Sequence, residues 1–199
     1  MLGLFYVVKK LQVLHQLATI GAVCLTFVAL GSTLAQAQRT VSLTQMPCLT
    51  TSGRANNTFV SGSANIAIGQ EIYTGIAVLR TDQPLFGGSY ISPGDPAGVA
   101  CRITPAGSKP RFRTLRIAFG ISNTGEFVRD NSHLRLTVFV DGNTVGSKEI
   151  VKGSLEYMLV DVTNAWSVAL RGECLSDTCP GIIFVQTLLE EAPSSPGRR

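Results

Sequence analysis

The chain has 199 residues, 45% of them hydrophobic, and a formal net charge of +4. That is enough chain for one domain with a proper core, and the near-neutral charge argues against a dedicated nucleic-acid surface. Five cysteines and only two histidines narrow the chemistry further.

Lys9 and Lys10 precede a long apolar run, Leu17 to Leu30, and Ala35-Gln36-Ala37 supplies small side chains where a signal peptidase cuts. Residues 1–37 are therefore expected to be a secretory signal helix cut before Gln38, with an uncleaved membrane anchor as the alternative. Loss of the two lysines with the signal lowers the charge to +2. Cys24 leaves with that segment, and an even set remains: Cys48, Cys101, Cys174 and Cys179. Four cysteines permit three pairings. The favoured one closes the short loop Cys174–Cys179 and ties Cys48 to Cys101. A four-thiolate zinc site is the alternative, but it lacks paired C-x-x-C knuckles.

The segment from Gln38 to Gly62 is rich in Thr, Ser, Asn and Gly and reads as a short strand, Val41 to Leu43, followed by surface loop. It includes the sequon Asn56-Asn57-Thr58. Glu71 to Leu79 is the first strong strand, and Gly75 inside it asks for a bulge or a close backbone approach. Asp82 to Pro110 reads as loop, with Tyr90-Ile91 and Val99 to Ile103 pairing briefly as edge strands. Leu115, Ile117 and Phe119 alternate inward around Arg116.

The densest patterning lies between Leu134 and Leu170. Leu134, Leu136, Val138 and Val140 alternate with Arg135, Thr137 and Phe139, and Asp141-Gly142-Asn143 then turns the chain. Ser147 to Val151, Leu155 to Val162 and a run placing Trp166, Val168 and Leu170 on one side follow. Four short strands in this order predict an antiparallel meander in an all-β sandwich or barrel. Ile182 to Leu189 is a last apolar strand. The domain is expected to span residues 38–191, and residues 192–199 read as a disordered tail.

Two groups of residues resemble the carbohydrate-binding modules of the glycosyl hydrolase family 98 type (NPCBM). One is Ile72-Tyr73-Thr74-Gly75-Ile76-Ala77-Val78. The other combines Phe119-Gly120-Ile121, Leu136-Thr137-Val138-Phe139-Val140-Asp141-Gly142 and Val160-Asp161-Val162-Thr163-Asn164-Ala165-Trp166-Ser167-Val168-Ala169-Leu170. The likeness covers about Val41 to Glu190. It implies a galactose-binding-like jelly-roll β-sandwich, a non-catalytic module holding sugars on loops at one end. The chain departs from the family at Leu79-Arg80, where a histidine is usual, at Ser122-Asn123, where paired aspartates are common, and in the strand Ile182 to Thr187.

No catalytic constellation stands out. His133, the one histidine after the signal, precedes the central strand in a polar loop, and no Gly-x-Ser-x-Gly elbow presents a nucleophile. Glu126 and Asp130 are close in sequence, but a glycosidase needs two carboxylates facing each other across roughly 5–10 Å. Asp141 and Asp161 read as turn and corner residues. Sugar recognition wants an aromatic face for C–H surfaces and planar polar groups for hydroxyls. Trp166 reads as core from its alternation. Tyr90 is the exposed aromatic candidate, and Asn123, Glu126, Arg129, Asp130 and Asn131 form the densest polar set, with a calcium ion at Asp130 as a further option. The sequence therefore predicts an exported binder of glycans or cell-envelope polysaccharide (secreted, periplasmic or envelope-attached), which meets a membrane only through an uncleaved N-terminus. The alternative is a structural or protein-interaction sandwich that has lost the sugar site.

Overall fold

The computed structural model describes residues 39–52, 58–81 and 90–192. The signal segment, Asn56 and Asn57 of the sequon, and the tail after Ala192 lie outside these residues. Among the described residues thirteen strands follow one another: β1 Thr40–Ser42, β2 Cys48–Ser52, β3 Phe59–Ile68, β4 Glu71–Leu79, β5 Tyr90–Ile91, β6 Ala97–Arg102 and β7 Phe112–Gly120. Then come β8 His133–Val140, β9 Asn143–Val151, β10 Leu155–Asp161, β11 Ser167–Cys174, β12 Cys179–Pro180 and β13 Ile182–Glu191. One 3-10 turn, Leu43–Gln45, is capped by Ser42.

The strands form two facing sheets. One has the order β10-β7-β13-β4-β3 with β1 added to β13, the other β2-β6-β11-β8-β9, and β5 pairs β12 separately. All strand pairings between the named elements are antiparallel. Alternation places one set of side chains between the sheets: Leu115, Ile117 and Phe119 from β7, Leu134, Leu136 and Val138 from β8, Val168 and Leu170 from β11, and Ile182, Phe184 and Leu189 from β13 are all buried. This is a jelly-roll-type β-sandwich, as expected.

Several details differ from the sequence reading. The four central strands are not a meander: β8 and β9 form a hairpin, but β10 crosses to pair with β7, and β11 returns to lie between β8 and β6. Gly153 causes the crossing. It turns the chain at φ 71° and donates its N–H to the Ile121 carbonyl at 3.1 Å, so β10 starts in line with the end of β7. Period-two patterning names a strand without naming its partner.

Trp166 is not core. It precedes β11 in a corner where Asn164 takes φ 64°, Val162 and Ala165 fill the interior, and the indole is left 50% exposed. Tyr90-Ile91 does not pair with Val99 to Ile103. It pairs with β12, and β6 is an interior strand between β2 and β11 whose Ala97, Val99 and Cys101 fill the core. The region expected to be loop before Gly62 contains β2 and the start of β3, whose Ser and Thr side chains suit an exposed strand face. Both disulfides, Cys48–Cys101 and Cys174–Cys179, are formed as expected.

Candidate functional site

The site is built around a hairpin that leaves its sheet. β4 pairs with β13 over only Ala77–Leu79, while β3 and β4 continue to pair with each other as far as Ile68 and Glu71. A register shift between Ser61 and Ala64 bends β3 on the way. The tip is held by the loop that follows β7. Asn123 N–H donates to the Ala67 carbonyl at 2.9 Å, and its side-chain oxygen accepts from Gly69 N–H at 2.9 Å. Its side-chain amide also donates to the Gly69 carbonyl, and Ser122 Oγ donates to the Ala67 carbonyl at 3.3 Å. Gly69, at φ 63°, and Gly153 meet at this junction. A Cβ on Gly69 would come within 3.0 Å of the Gly153 carbonyl oxygen. Only glycine allows both the turn and the approach.

Between the hairpin, β13 and the loop Thr124–Val128 lies a groove of about 450 Å³. That volume falls within the ~300–1,000 Å³ of small-molecule sites. Ile66, Val78 and Ile183 line it from the strands, Phe127 and Val128 from the loop, and the polar groups on its lining include Ser61, Ser63, Ser122 and Glu126. Gly75 keeps it open: a Cβ there would meet Ile183 Cγ2 at 3.1 Å and Ile66 Cδ1 at 3.5 Å. The close approach anticipated from the sequence is thus a lining contact of the groove.

The sequence-selected residues fall into two groups. Tyr90 does reach the loop: its ring lies 4.8 Å from that of Phe127, tilted by 35°. Glu126 lines the groove, and Asn131 is exposed nearby in sequence. Asn123, Arg129 and Asp130 shape the loop instead. Arg129 Nη1 donates to the carbonyls of Glu126 at 2.7 Å and Val128 at 3.0 Å, and Lys152 Nζ sits 2.7 Å from Asp130. That hydrogen bond holds the Asp130 carboxyl below the usual range. Among the described residues no three of His, Cys, Asp and Glu converge on a metal position. Phe127 is the residue that sequence reading missed. The signal was there, since Phe127-Val128 is an apolar pair inside an otherwise polar loop.

Elsewhere, polar side chains are committed to structure. His133 Nε2 lies 2.9 Å from Glu149, which also binds Arg135 at 2.6 Å. Asp141 does more than shape its turn. Its carboxylate accepts from Trp166 N–H at 3.0 Å and Ser167 N–H at 2.8 Å, joining two corners. Asp161 accepts from Thr163 N–H at 2.8 Å.

The Glu149 carboxyl is lowered chiefly by its bond to Arg135, and that of Asp161 by Thr163. All three carboxyls, Asp130 included, have folded values below their unfolded ones. Their stabilisation is therefore present above the ordinary carboxylate range and is lost as pH falls through it. Melting temperature is expected to decline from pH 5 toward pH 2, and Asp161→Asn is expected to flatten part of that decline in thermal melts. A profile identical to the parent's would contradict this.

The fold and the groove together define an antiparallel jelly-roll β-sandwich with an open groove beside one of its hairpins. No family model matches the chain, and no curated protein does. Solved structures do match. The CBM51 of GH95 from Clostridium perfringens, in complex with methyl-galactose, aligns with TM-score 0.53 at 10% identity, covering 76% of this chain and 99% of that one. The CBM51-2 and INT domains of ZmpB from Clostridium perfringens align with TM-score 0.52 at 11% identity, covering 77% of this chain and 32% of that one. The complex of the same CBM51-2 with GlcNAc also scores 0.52. At these identities the likeness is one of fold.

Proposed function

We propose that this chain is an exported, non-catalytic carbohydrate-binding module of the NPCBM kind that takes a sugar of a glycan or envelope polysaccharide in the groove between the β3–β4 hairpin and Thr124–Val128. The observation that carries the reading is the meeting of Tyr90 with the polar loop through Phe127, beside a groove of about 450 Å³. An aromatic ring and apolar walls suit the C–H faces of a pyranose, and the serine hydroxyls and the Glu126 carboxylate suit its hydroxyls. Two disulfides support maturation in an oxidising compartment, hence a secreted, periplasmic or envelope location.

Calorimetry with methyl-galactoside and N-acetylglucosamine tests the assignment. Phe127→Ala is expected to weaken binding by about tenfold or more, equivalent to ~1.4 kcal/mol, and Glu126→Gln by less. Unchanged affinity in both variants would remove the groove as the site. The titration is run with and without calcium, because a cation at Asp130 competes with Lys152 for the same carboxylate. A second reading, a protein-interaction sandwich, draws on the exposed side chains of Ile72, Tyr157 and Leu159, which are 78%, 60% and 68% exposed. It predicts a sugar-silent protein.

A further inference from the structure

On the far sheet, β2 carries a register shift between Thr50 and Ser52 against β6. In a regular strand Thr51 and Ser52 point to opposite faces; a bulge re-aims one of them. Here both hydroxyls arrive over Gly98. A Cβ at that glycine would lie 2.3 Å from Ser52 Oγ and 2.6 Å from Thr51 Oγ1, so the two hydroxyls occupy the space a side chain would fill. Gly98 pairs with Arg171 on β11, whose guanidinium is half-exposed. One step along the same outer face, Ala169 pairs with Phe139 of β8. The inward residues of these strands, Val138, Val168, Leu170 and Val99, are buried, so Phe139, Ala169, Arg171 and Gly98 face outward.

Thr51, Ser52, Phe139, Ala169 and Arg171 border an open trench of about 430 Å³, lined also by Pro96 and Gly142. One end presents two hydroxyls and a planar guanidinium, the middle an alanine floor, and the other end a phenyl ring. Two basic groups of this face are paired, Arg171 with Glu173 at 3.0 Å and Arg135 with Glu149 at 2.6 Å, and with Arg102 the one further exposed arginine on these strands the face offers no array of cations for a polyanion. A ring beside hydroxyl and guanidinium donors matches a neutral pyranose.

We propose that this trench is a second saccharide-contacting surface, which takes several residues of a linear glycan chain across the five-stranded sheet, independently of the groove beside Phe127. The proposal rests on the reading of the protein as a glycan binder. Being open, the trench gains contacts as the chain lengthens, whereas the groove is satisfied by a single terminal sugar.

The test uses the 199-residue, disulfide-bonded protein against immobilised mono- to hexasaccharides of galactose and of N-acetylglucosamine, read by biolayer interferometry. Affinity is expected to rise with chain length. Phe139→Ala and Arg171→Gln are each expected to lower hexasaccharide affinity by about tenfold, equivalent to ~1.4 kcal/mol, while leaving monosaccharide affinity and melting temperature as in the parent. Phe127→Ala is expected to weaken monosaccharide binding while leaving the gain in affinity with chain length in place. Hexasaccharide binding unchanged in both trench variants overturns the trench and leaves the groove standing. Loss in the trench variants with none in Phe127→Ala supports the trench and overturns the groove. No binding to any member of the panel overturns both.

Discussion

Phe184→Ala is expected to lower the unfolding free energy by about 3–5 kcal/mol, the range for truncating a buried phenylalanine. Phe184 is fully buried in β13, the strand that stands between β7 and β4 in the six-stranded sheet. Its ring meets Phe59 edge-on at 5.5 Å and Phe119 at 6.1 Å. Truncation removes the transfer energy of the ring, opens a cavity and deletes both aromatic contacts, each worth roughly 0.5–1.5 kcal/mol. Because β13 also supplies Ile183 to the groove and anchors the short pairing with β4, the loss reaches the site as well as the core. Against a typical domain stability of ~5–15 kcal/mol this is a large fraction. Chemical denaturation with an unchanged slope checks it, and a loss below ~1 kcal/mol would show that β13 is not the centre of the core.

The second large effect is expected from replacing Cys48 and Cys101 together by alanine. The bridge spans a sequence separation of 53, against 5 for Cys174–Cys179. In the loop-closure model, these separations correspond to about 4 and about 2 kcal/mol of restriction on the unfolded chain. The two bridges differ structurally as well. Cys48 and Cys101 are register partners, so the bond fastens the outer strand β2 directly to β6. Without it, β2 depends on its hydrogen bonds to β6, and the positions of Thr51 and Ser52 above Gly98 loosen with it. Denaturation of the double variant should therefore show the greater loss of the two bridge deletions. Equal losses from the two would contradict the loop-length argument.

Much of the fold was legible because alternation and turn chemistry are local. Glu71 to Leu79 appears as a strand with those ends, Leu115, Ile117 and Phe119 face inward, and Asp141-Gly142 takes positive φ values of 48° and 83° to close the β8–β9 hairpin. The even cysteine count gave the correct pairing for a related reason, since one bridge closes a short loop and leaves one partner for Cys48.

What was not legible depends on contacts between distant segments. The crossing of β10 to β7 is set by Gly153 docking on Ile121, which no period-two pattern encodes. Trp166 misled because its alternation with Val168 continues past the true start of β11, where Asp141 holds the corner from the neighbouring turn. β2 and the first half of β3 were hidden by Ser and Thr, which suit both loops and exposed strand faces. In the site, Asn123 looked like a ligand group because it is polar and in a loop; its amide instead holds the hairpin tip. Tyr90 was chosen only as an exposed aromatic; that it lies against the loop through Phe127 depends on the packing of distant segments.

We propose the groove beside Phe127 as the place where a sugar binds. A glycan array of the folded, disulfide-bonded 199-residue protein, run beside its Phe127→Ala variant with and without calcium, tests it most directly. Reproducible binding to a defined set of glycans by the parent and its loss in the variant, with melting temperatures unchanged, is the expected result. A blank array from folded parent protein, or equal binding by both proteins, would contradict it.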